Sequence, residues 1–117
     1  MNFLLDKNEN HTVIHTLTER LDSTVSPNLK SELLVMNAEG IKNIVIDLSK
    51  TKYCDSSGLS AILVANRLCK NAGGVFVICS INDAVKKLIS ISQLDSILNI
   101  VENVSEAVEF IKAEQLN

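Results

Sequence analysis

Two short segments of almost uninterrupted apolar residues constrain the fold of this chain most. Residues 44–48 read Ile-Val-Ile-Asp-Leu, and residues 75–79 read Val-Phe-Val-Ile-Cys. A strand that is apolar on both faces is typical of a sheet that is covered by helices on both sides. Helical patterns of apolar residues precede, separate and follow these segments. This alternation predicts an α/β domain with a mostly parallel sheet.

Weaker local patterns supply the other elements. Alternating residues predict strands over residues 3–7 and 11–17, joined by a hairpin-like turn at 8–10, and a short last strand is predicted over residues 97–101. Helix-start and helix-stop residues predict about four helices, which begin at Ser26-Pro27, after Ser57, at Asn82 or Asp83, and at Asn103. The mixed sheet therefore has an antiparallel hairpin at its N-terminal side.

Composition limits the chain to one domain and argues against several kinds of partner. With 117 residues, of which 46% are hydrophobic, it can bury one core, so we expect a single domain over residues 1–117. The net charge of −3 and the lack of a Lys or Arg block argue against nucleic-acid binding. The first residues do not resemble a secretion or lipidation signal, and no window approaches membrane-spanning length. We therefore expect a cytoplasmic protein with no membrane partner.

The sequence lacks the motifs of common catalytic, metal-binding and cofactor-binding sites. Neither Ser56 nor Ser57 fits the G-x-S-x-G pattern of a hydrolase nucleophile, and the four glycines form no nucleotide-binding loop. Cys54, Cys69 and Cys79 are odd in number and widely spaced, which favours free thiols over a disulfide or a zinc site. We therefore expect no enzymatic activity, no metal and no cofactor.

The run Cys-Asp-Ser-Ser-Gly-Leu at residues 54–59 places two hydroxyls between a predicted strand and a predicted helix. Backbone N–H groups are unpaired at a helix start and the helix macrodipole is positive there, so this position favours an anionic group. A serine in such a place either caps the helix or accepts a phosphate group. Both interpretations stay open on these residues alone.

The helix after Ser57 is apolar almost all round its first two turns, which is more than one core-facing stripe requires. Helical spacing places Ser57, Ser60, Val64 and Arg67 along one side. This side is either part of a deeply buried helix or a partner-binding surface with Ser57 at its head. On the second interpretation, Val64 is exposed to solvent.

Taken together, these features resemble the STAS domain family, in particular the bacterial anti-sigma factor antagonists. The resemblance rests on Asp47-Leu48-Ser49 after a strand, on Asp55-Ser56-Ser57-Gly58-Leu59 before an apolar helix, and on weaker matches at Leu21-Asp22 and Gly73-Gly74-Val75. It implies a binding switch in which the unmodified antagonist binds an anti-sigma factor that is also a serine protein kinase, which releases a sigma factor for transcription. The kinase phosphorylates the antagonist, and a PP2C-type phosphatase reverses the modification.

The resemblance places the phosphoacceptor at Ser57, with Asp22 and Asp55 beside it. Together with the helix stripe, the predicted partner-binding residues are Asp22, Asp55, Ser56, Ser57, Gly58, Ser60, Val64 and Arg67. The chain departs from the family pattern at two places. It has Arg20 where a glycine is common, and Cys54 where a bulkier apolar residue is common.

Two alternatives to the antagonist remain on the sequence alone. A STAS domain can also be a regulatory module of a transporter, a lipid-trafficking complex or a stress-signalling assembly. A response-regulator receiver carries an aspartate on a central strand, as Asp47 would be, but the acidic pair and the late lysine that it also needs are not evident. The Asp-Ser-Ser-Gly run favours the antagonist.

Overall fold

Helices cover both faces of a five-stranded mixed sheet in the computed structural model, which describes residues 2–115. The strands are β1 Phe3–Lys7, β2 Thr12–Thr16, β3 Arg20–Leu21, β4 Ile44–Asp47, β5 Tyr53–Cys54, β6 Phe76–Cys79 and β7 Asn99–Val101. The helices are α1 Ser26–Ala38, α2 Ser56–Asn71, α3 Asp83–Ile91 and α4 Val104–Gln115. The ends of the predicted domain over 1–117, which are Met1, Leu116 and Asn117, lie outside the described residues.

The main sheet has the strand order β1-β2-β4-β6-β7. β1 and β2 form an antiparallel hairpin, and every other neighbouring pair in this sheet is parallel. The side chain of Asn43 links the segments that precede β2, β4 and β6. It donates to the Asn10 carbonyl over 2.9 Å and accepts from the Val75 amide over 2.9 Å. The predicted α/β class, the mixed sheet, the N-terminal hairpin and the four helices are confirmed.

The sheet has two apolar faces, each with its own core. Alternate residues of the central strands, such as Ile14, Ile46 and Ile78, pack with α1, α2 and α3 on one face. Their neighbours Val13, Val45 and Val77 pack with α4 on the other face. Because burying a Val or Ile side chain contributes about 1.5–3 kcal/mol, strands that are apolar on both faces stabilise both layers.

A second, two-stranded sheet that the sequence patterns did not predict pairs β3 with β5 in parallel. Backbone bonds from Lys52 and Tyr53 to the Glu19 carbonyl, 2.8 and 3.0 Å long, hold the two segments together. The Thr51 hydroxyl donates to the Thr18 carbonyl over 3.0 Å and supports the same junction. This small sheet positions the residues that follow each strand.

Two details at helix starts refine the sequence-based predictions. Asn82 and Asn103 accept hydrogen bonds from backbone amides of the first turns of α3 and α4, as their positions predict. Helix α1 begins at Ser26 as predicted, but the N-cap position is Val25, which makes no side-chain cap bond. The buried Ser26 hydroxyl instead donates to the Asp22 carbonyl over 2.7 Å.

The three cysteines are free and buried, as predicted from their number and spacing. Burial raises the pKa of Cys54 and of Cys69 to about 12, and that of Cys79 to about 11. Because the thiolate is the reactive form, all three thiols are poor nucleophiles near neutral pH.

Asp47 is a buried carboxylate at the end of β4, with 8% of its surface exposed. Its Oδ2 lies 2.7 Å from His15 Nδ1, its Oδ1 accepts from the Ser49 amide over 3.0 Å, and the Ser49 hydroxyl donates to Oδ2 over 3.3 Å. Burial acts to raise the pKa of Asp47, but the hydrogen bonds from His15, Ser49 and Ser80 together outweigh it, so the pKa lies below its usual value.

We expect Asp47→Asn to be less stable than the wild type near neutral pH, by about 1–3 kcal/mol, because bonds to a charged acceptor are lost. A carboxylate whose pKa is lowered by folding stabilises the protein above its unfolded-state pKa, and loses that contribution as pH falls through the folded value. Chemical denaturation at pH 7 and at stepwise lower pH should therefore show the difference shrinking below about pH 4. Exposed Asp95 provides the control, since Asp95→Asn should match the wild type throughout; an equal effect of both variants would contradict the prediction.

Candidate functional site

The small β3–β5 sheet brings Asp22 and Asp55 to the same end of two neighbouring strands. Leu21 pairs with Cys54, and each aspartate directly follows one of these two residues. The Asp55 amide donates to the Leu21 carbonyl over 3.4 Å. The two aspartates thus occupy matching positions, one leading into α1 and the other into α2.

Asp55 is the N-cap of α2. Its backbone is extended, and its Oδ1 accepts hydrogen bonds from the amides of Ser57 over 2.9 Å and Gly58 over 3.1 Å. An aspartate at this position satisfies otherwise unpaired amides and interacts favourably with the helix macrodipole. The capping role that the sequence left open for a serine therefore belongs to the aspartate, and no partner for the hydroxyl of Ser56 or Ser57 is found among residues 2–115.

Ser57 lies in a shallow cavity between the starts of α1 and α2. Ser56 is exposed and Ser57 is half-buried, so both hydroxyls remain open to this side. The cavity has a volume of about 290 Å³ and is lined by Ser23, Ser26, Pro27, Lys30, Ser56, Ser57 and Ser60. Of the predicted site residues, Ser56, Ser57 and Ser60 therefore line one cavity.

Gly58 lets α2 lie directly against β3. A Cβ atom at this position would overlap the carbonyl oxygen of Leu21 and would lie 2.6 Å from Cys54 Sγ. Gly58 is buried, so its role in the site is to allow this close approach of two backbones. Its residue type and motif position predict a partner-binding residue, and the geometry gives it a positioning role as well.

We expect Gly58→Ala to lower the free energy of unfolding by about 1–3 kcal/mol through overpacking. Alanine favours a helix by about 1 kcal/mol over glycine, so a net loss would show that the clash with Leu21 outweighs the gain in helix propensity. Thermal and denaturant unfolding give the measurement, with Ser56→Ala on the exposed side of the same turn as control. A variant that is as stable as the wild type would show that β3 can move away at little cost.

Asp22 organises the loop between β3 and α1. Its Oδ1 accepts from the Thr24 hydroxyl over 2.6 Å and from the Thr24 amide over 3.0 Å, and its Oδ2 lies 3.3 Å from Arg20 Nε. Hydrogen bonds from Thr24 lower the pKa of Asp22, and the bond from the Thr24 hydroxyl has the larger effect. Arg20 lowers this pKa further. Arg20 in turn lies over the Tyr53 ring, 4.3 Å from its centre. The Asp22 carboxylate, predicted to bind a partner, thus forms its hydrogen bonds within its own loop, and its contribution to partner binding stays a prediction.

The α2 stripe is only partly exposed. Arg67 is exposed, but Ser60 is half-buried, and Val64 is half-buried and packs against the larger core. The full exposure of Val64 that the partner-binding interpretation required is therefore met only in part. The contribution of Val64 and Arg67 to partner binding stays a prediction.

We expect Val64→Glu to be less stable than the wild type by about 1–3 kcal/mol, since a carboxylate would replace an apolar group against the core. Arg67→Glu introduces the same side chain on the exposed part of the stripe and should change stability by no more than about 0.5 kcal/mol. Parallel denaturant titrations of the two variants measure the difference. If Val64→Glu were as stable as Arg67→Glu, the prediction would be contradicted, and position 64 would behave as an exposed position.

Four residues of the cavity, Ser23, Ser26, Pro27 and Lys30, were not predicted as site residues from the sequence. Lys30 follows Ser26 by one helical turn, so the i, i+4 spacing was a usable signal that the two share a face of α1. The position of that face relative to Ser57 depends on how α1 packs against α2, and no local pattern reveals it.

Within residues 2–115, no cluster of three or more His, Cys, Asp or Glu side chains is arranged to hold a metal ion. In the same part of the chain, no helix combines the length and the apolar character needed to cross a membrane.

The model of the STAS domain family matches residues 2–107. The chain belongs to the STAS domain family. This confirms the resemblance that the Asp-Ser-Ser-Gly run and its strand-to-helix setting suggested.

Curated relatives in this family carry names from one functional class. A Thermotoga maritima protein assigned as an anti-sigma factor antagonist is 31% identical over 74 residues, which are 63% of this chain and 66% of that protein. The anti-sigma F factor antagonist of Paenibacillus polymyxa is 36% identical over 62 residues, which are 53% of each chain. These matches thus span between about half and just under two thirds of the relatives' length.

Solved structures agree with the fold. The crystal structure of an assigned anti-sigma factor antagonist from Thermotoga maritima aligns with a TM-score of 0.87 over 94% of each chain, at 23% identity. The anti-sigma factor antagonist SpoIIAA aligns in its unphosphorylated form with a TM-score of 0.74 at 17% identity, covering 94% of this chain and 97% of that one. Its phosphorylated form, from Bacillus, aligns with a TM-score of 0.73 at 19% identity, over 93% and 98%. At these identities the likeness shows the shared fold.

Proposed function

We propose that this STAS-domain protein is an anti-sigma factor antagonist whose binding is switched by phosphorylation of Ser57. The observation that carries the proposal is the state of Ser57 itself: its amide is bound by Asp55, while its hydroxyl faces a surface cavity and has no partner among residues 2–115. The names of the relatives point to the same class of function.

The proposed partner is an anti-sigma factor that is also a serine protein kinase. In the unmodified state the protein binds this partner through the surface around the start of α2, and a sigma factor is released for transcription. A PP2C-type phosphatase removes the phosphate and restores binding. In this scheme the protein is a cytoplasmic binding protein without an enzymatic activity of its own, and residues 1–117 act as a single domain.

Charge supplies the physical basis of the switch. A phosphate group adds about −1.5 to −2 charges near neutral pH, and on Ser57 it would lie next to the Asp55 carboxylate. The Asp55 carboxylate can move away from the phosphate only if it loses its two hydrogen bonds from the α2 amides. A partner that presents carboxylates or apolar groups to this surface would therefore meet like-charge repulsion and a desolvation cost.

The fold should tolerate the modification. The Ser57 hydroxyl makes no hydrogen bond within the described residues, so phosphorylation removes no internal hydrogen bond of that group. Phosphorylation then changes the surface that a partner meets, while the sheet and its two cores stay as they are.

We expect wild-type protein to capture a serine kinase from the cytosol of its source organism, and the captured kinase with Mg-ATP to phosphorylate Ser57. Mass spectrometry should find the phosphate on Ser57 in the wild type and in Ser56→Ala, and none in Ser57→Ala. Phosphorylation should weaken binding to the captured partner by about 100-fold or more, since like-charge contacts cost several kcal/mol and each 1.4 kcal/mol changes affinity tenfold.

Other results of the same experiment would redirect the assignment. Phosphate on Ser56 alone would move the acceptor by one residue, and equal capture by wild type and Ser57→Asp would argue against a charge-based switch. Capture of a transporter, a lipid-trafficking complex or a stress-signalling assembly in place of a kinase would favour the regulatory-module alternative.

A further inference from the structure

Lys30 is a half-buried lysine that lines the cavity of Ser57. The other residues around this cavity are five serines and Pro27, so no carboxylate shares the cavity with the lysine. Within residues 2–115, the Lys30 ammonium forms no ion pair, whereas Lys7, Lys52 and Lys112 each lie within 4 Å of a glutamate oxygen. Lys30 thus brings an unpaired positive charge to the surface that contains Ser57.

The amides of Ser57 and Gly58 at the start of α2 are not free to stabilise a phosphate on Ser57. The amides of Ser57 and Gly58, which could otherwise bind an anion, already donate to Asp55. The Asp55 carboxylate also brings a negative charge next to the modified residue. A cation from another element would therefore help to balance a dianion at this place, and Lys30 of α1 lines the same cavity.

We propose that phosphoserine at position 57 forms an ion pair with Lys30 across this cavity, so that α1 takes part in the switch. The inference rests on the proposed phosphorylation of Ser57. The cavity volume of about 290 Å³ is several times the roughly 30 Å³ that one water occupies in the liquid, so the cavity is large enough for a phosphate group.

The ion pair gives phosphorylation two effects on a partner. The phosphate adds negative charge at the start of α2, and it also occupies the Lys30 ammonium that the unmodified protein leaves free within residues 2–115. A partner that uses a carboxylate to contact Lys30 loses that contact at the same time as it meets the phosphate. Position 30 is therefore a determinant of the switch on a helix outside the Asp-Ser-Ser-Gly run.

The test places phosphoserine at position 57 during translation, so that no kinase is needed. The titration of the phosphate is followed by ³¹P NMR in the wild type, Lys30→Gln and Lys30→Arg, with Lys87→Gln on the exposed side of α3 as the matched control. A nearby positive charge favours the dianion, whose formation has an ordinary pKa of about 6. We expect Lys30→Gln to raise the phosphate pKa by about 0.5 or more, while Lys30→Arg and Lys87→Gln stay close to the wild type.

A second measurement uses the protein with its native Lys30 and does not depend on how the lysine variants fold. The side-chain NMR resonances of Lys30 should shift with the same midpoint as the phosphate, and those of Lys87 should not. Three results would each overturn the ion pair. The phosphate pKa could be the same in the wild type and in Lys30→Gln, or it could shift equally in Lys30→Gln and Lys87→Gln. The Lys30 resonances could also stay unchanged while the phosphate titrates. A failure of the proposed function is separate from these outcomes, because it appears as missing kinase-dependent phosphorylation of Ser57.

Discussion

The approach of β3 to the start of α2 is the contact on which the rest of the site depends. The Leu21 carbonyl occupies the space that a side chain at Gly58 would need, so the two backbones lie directly against each other. Because Leu21 pairs with Cys54, this approach also places Asp22 and Asp55 at matching positions. Asp22 leads into α1 and Asp55 into α2, so the serine-lined cavity between the two helix starts follows from the same contact.

The sequence predicts the large sheet well and the small one not at all, for a physical reason. β4 and β6 are apolar on both faces, and such segments are typical of strands that helices cover on both sides. Their central position in the sheet can therefore be predicted from residue types. β3 and β5 have two residues each, too few for a periodic pattern. Their pairing depends on backbone bonds between segments far apart in the chain, which residue type does not encode.

Sequence reasoning located the side of the candidate cavity that α2 provides and missed the side that α1 and the loop before it provide. The Asp-Ser-Ser-Gly run identified the start of α2, but which side chain caps the helix depends on the extended backbone of Asp55. The exposure of Val64 could not be read from α2 alone, because a helix that is apolar nearly all round fits either a buried or a partner-binding side. The partial burial of Val64 depends on tertiary packing, and so does the position of Lys30 on the same cavity as Ser57.

The chemistry available at the start of α2 is narrower than its residue types suggest. Cys54 and Ser57 both have nucleophilic side-chain types and lie close in sequence, but Cys54 is buried, and burial raises its pKa to about 12. Oxidation and alkylation require the thiolate, so they are disfavoured at this cysteine near neutral pH. The Ser57 hydroxyl, in contrast, opens onto the cavity, while its amide is held by Asp55. The Ser57 hydroxyl therefore opens onto the surface while the backbone that carries it is held in place. In the proposed switch, a phosphate would change the charge of this surface without first rearranging the start of α2.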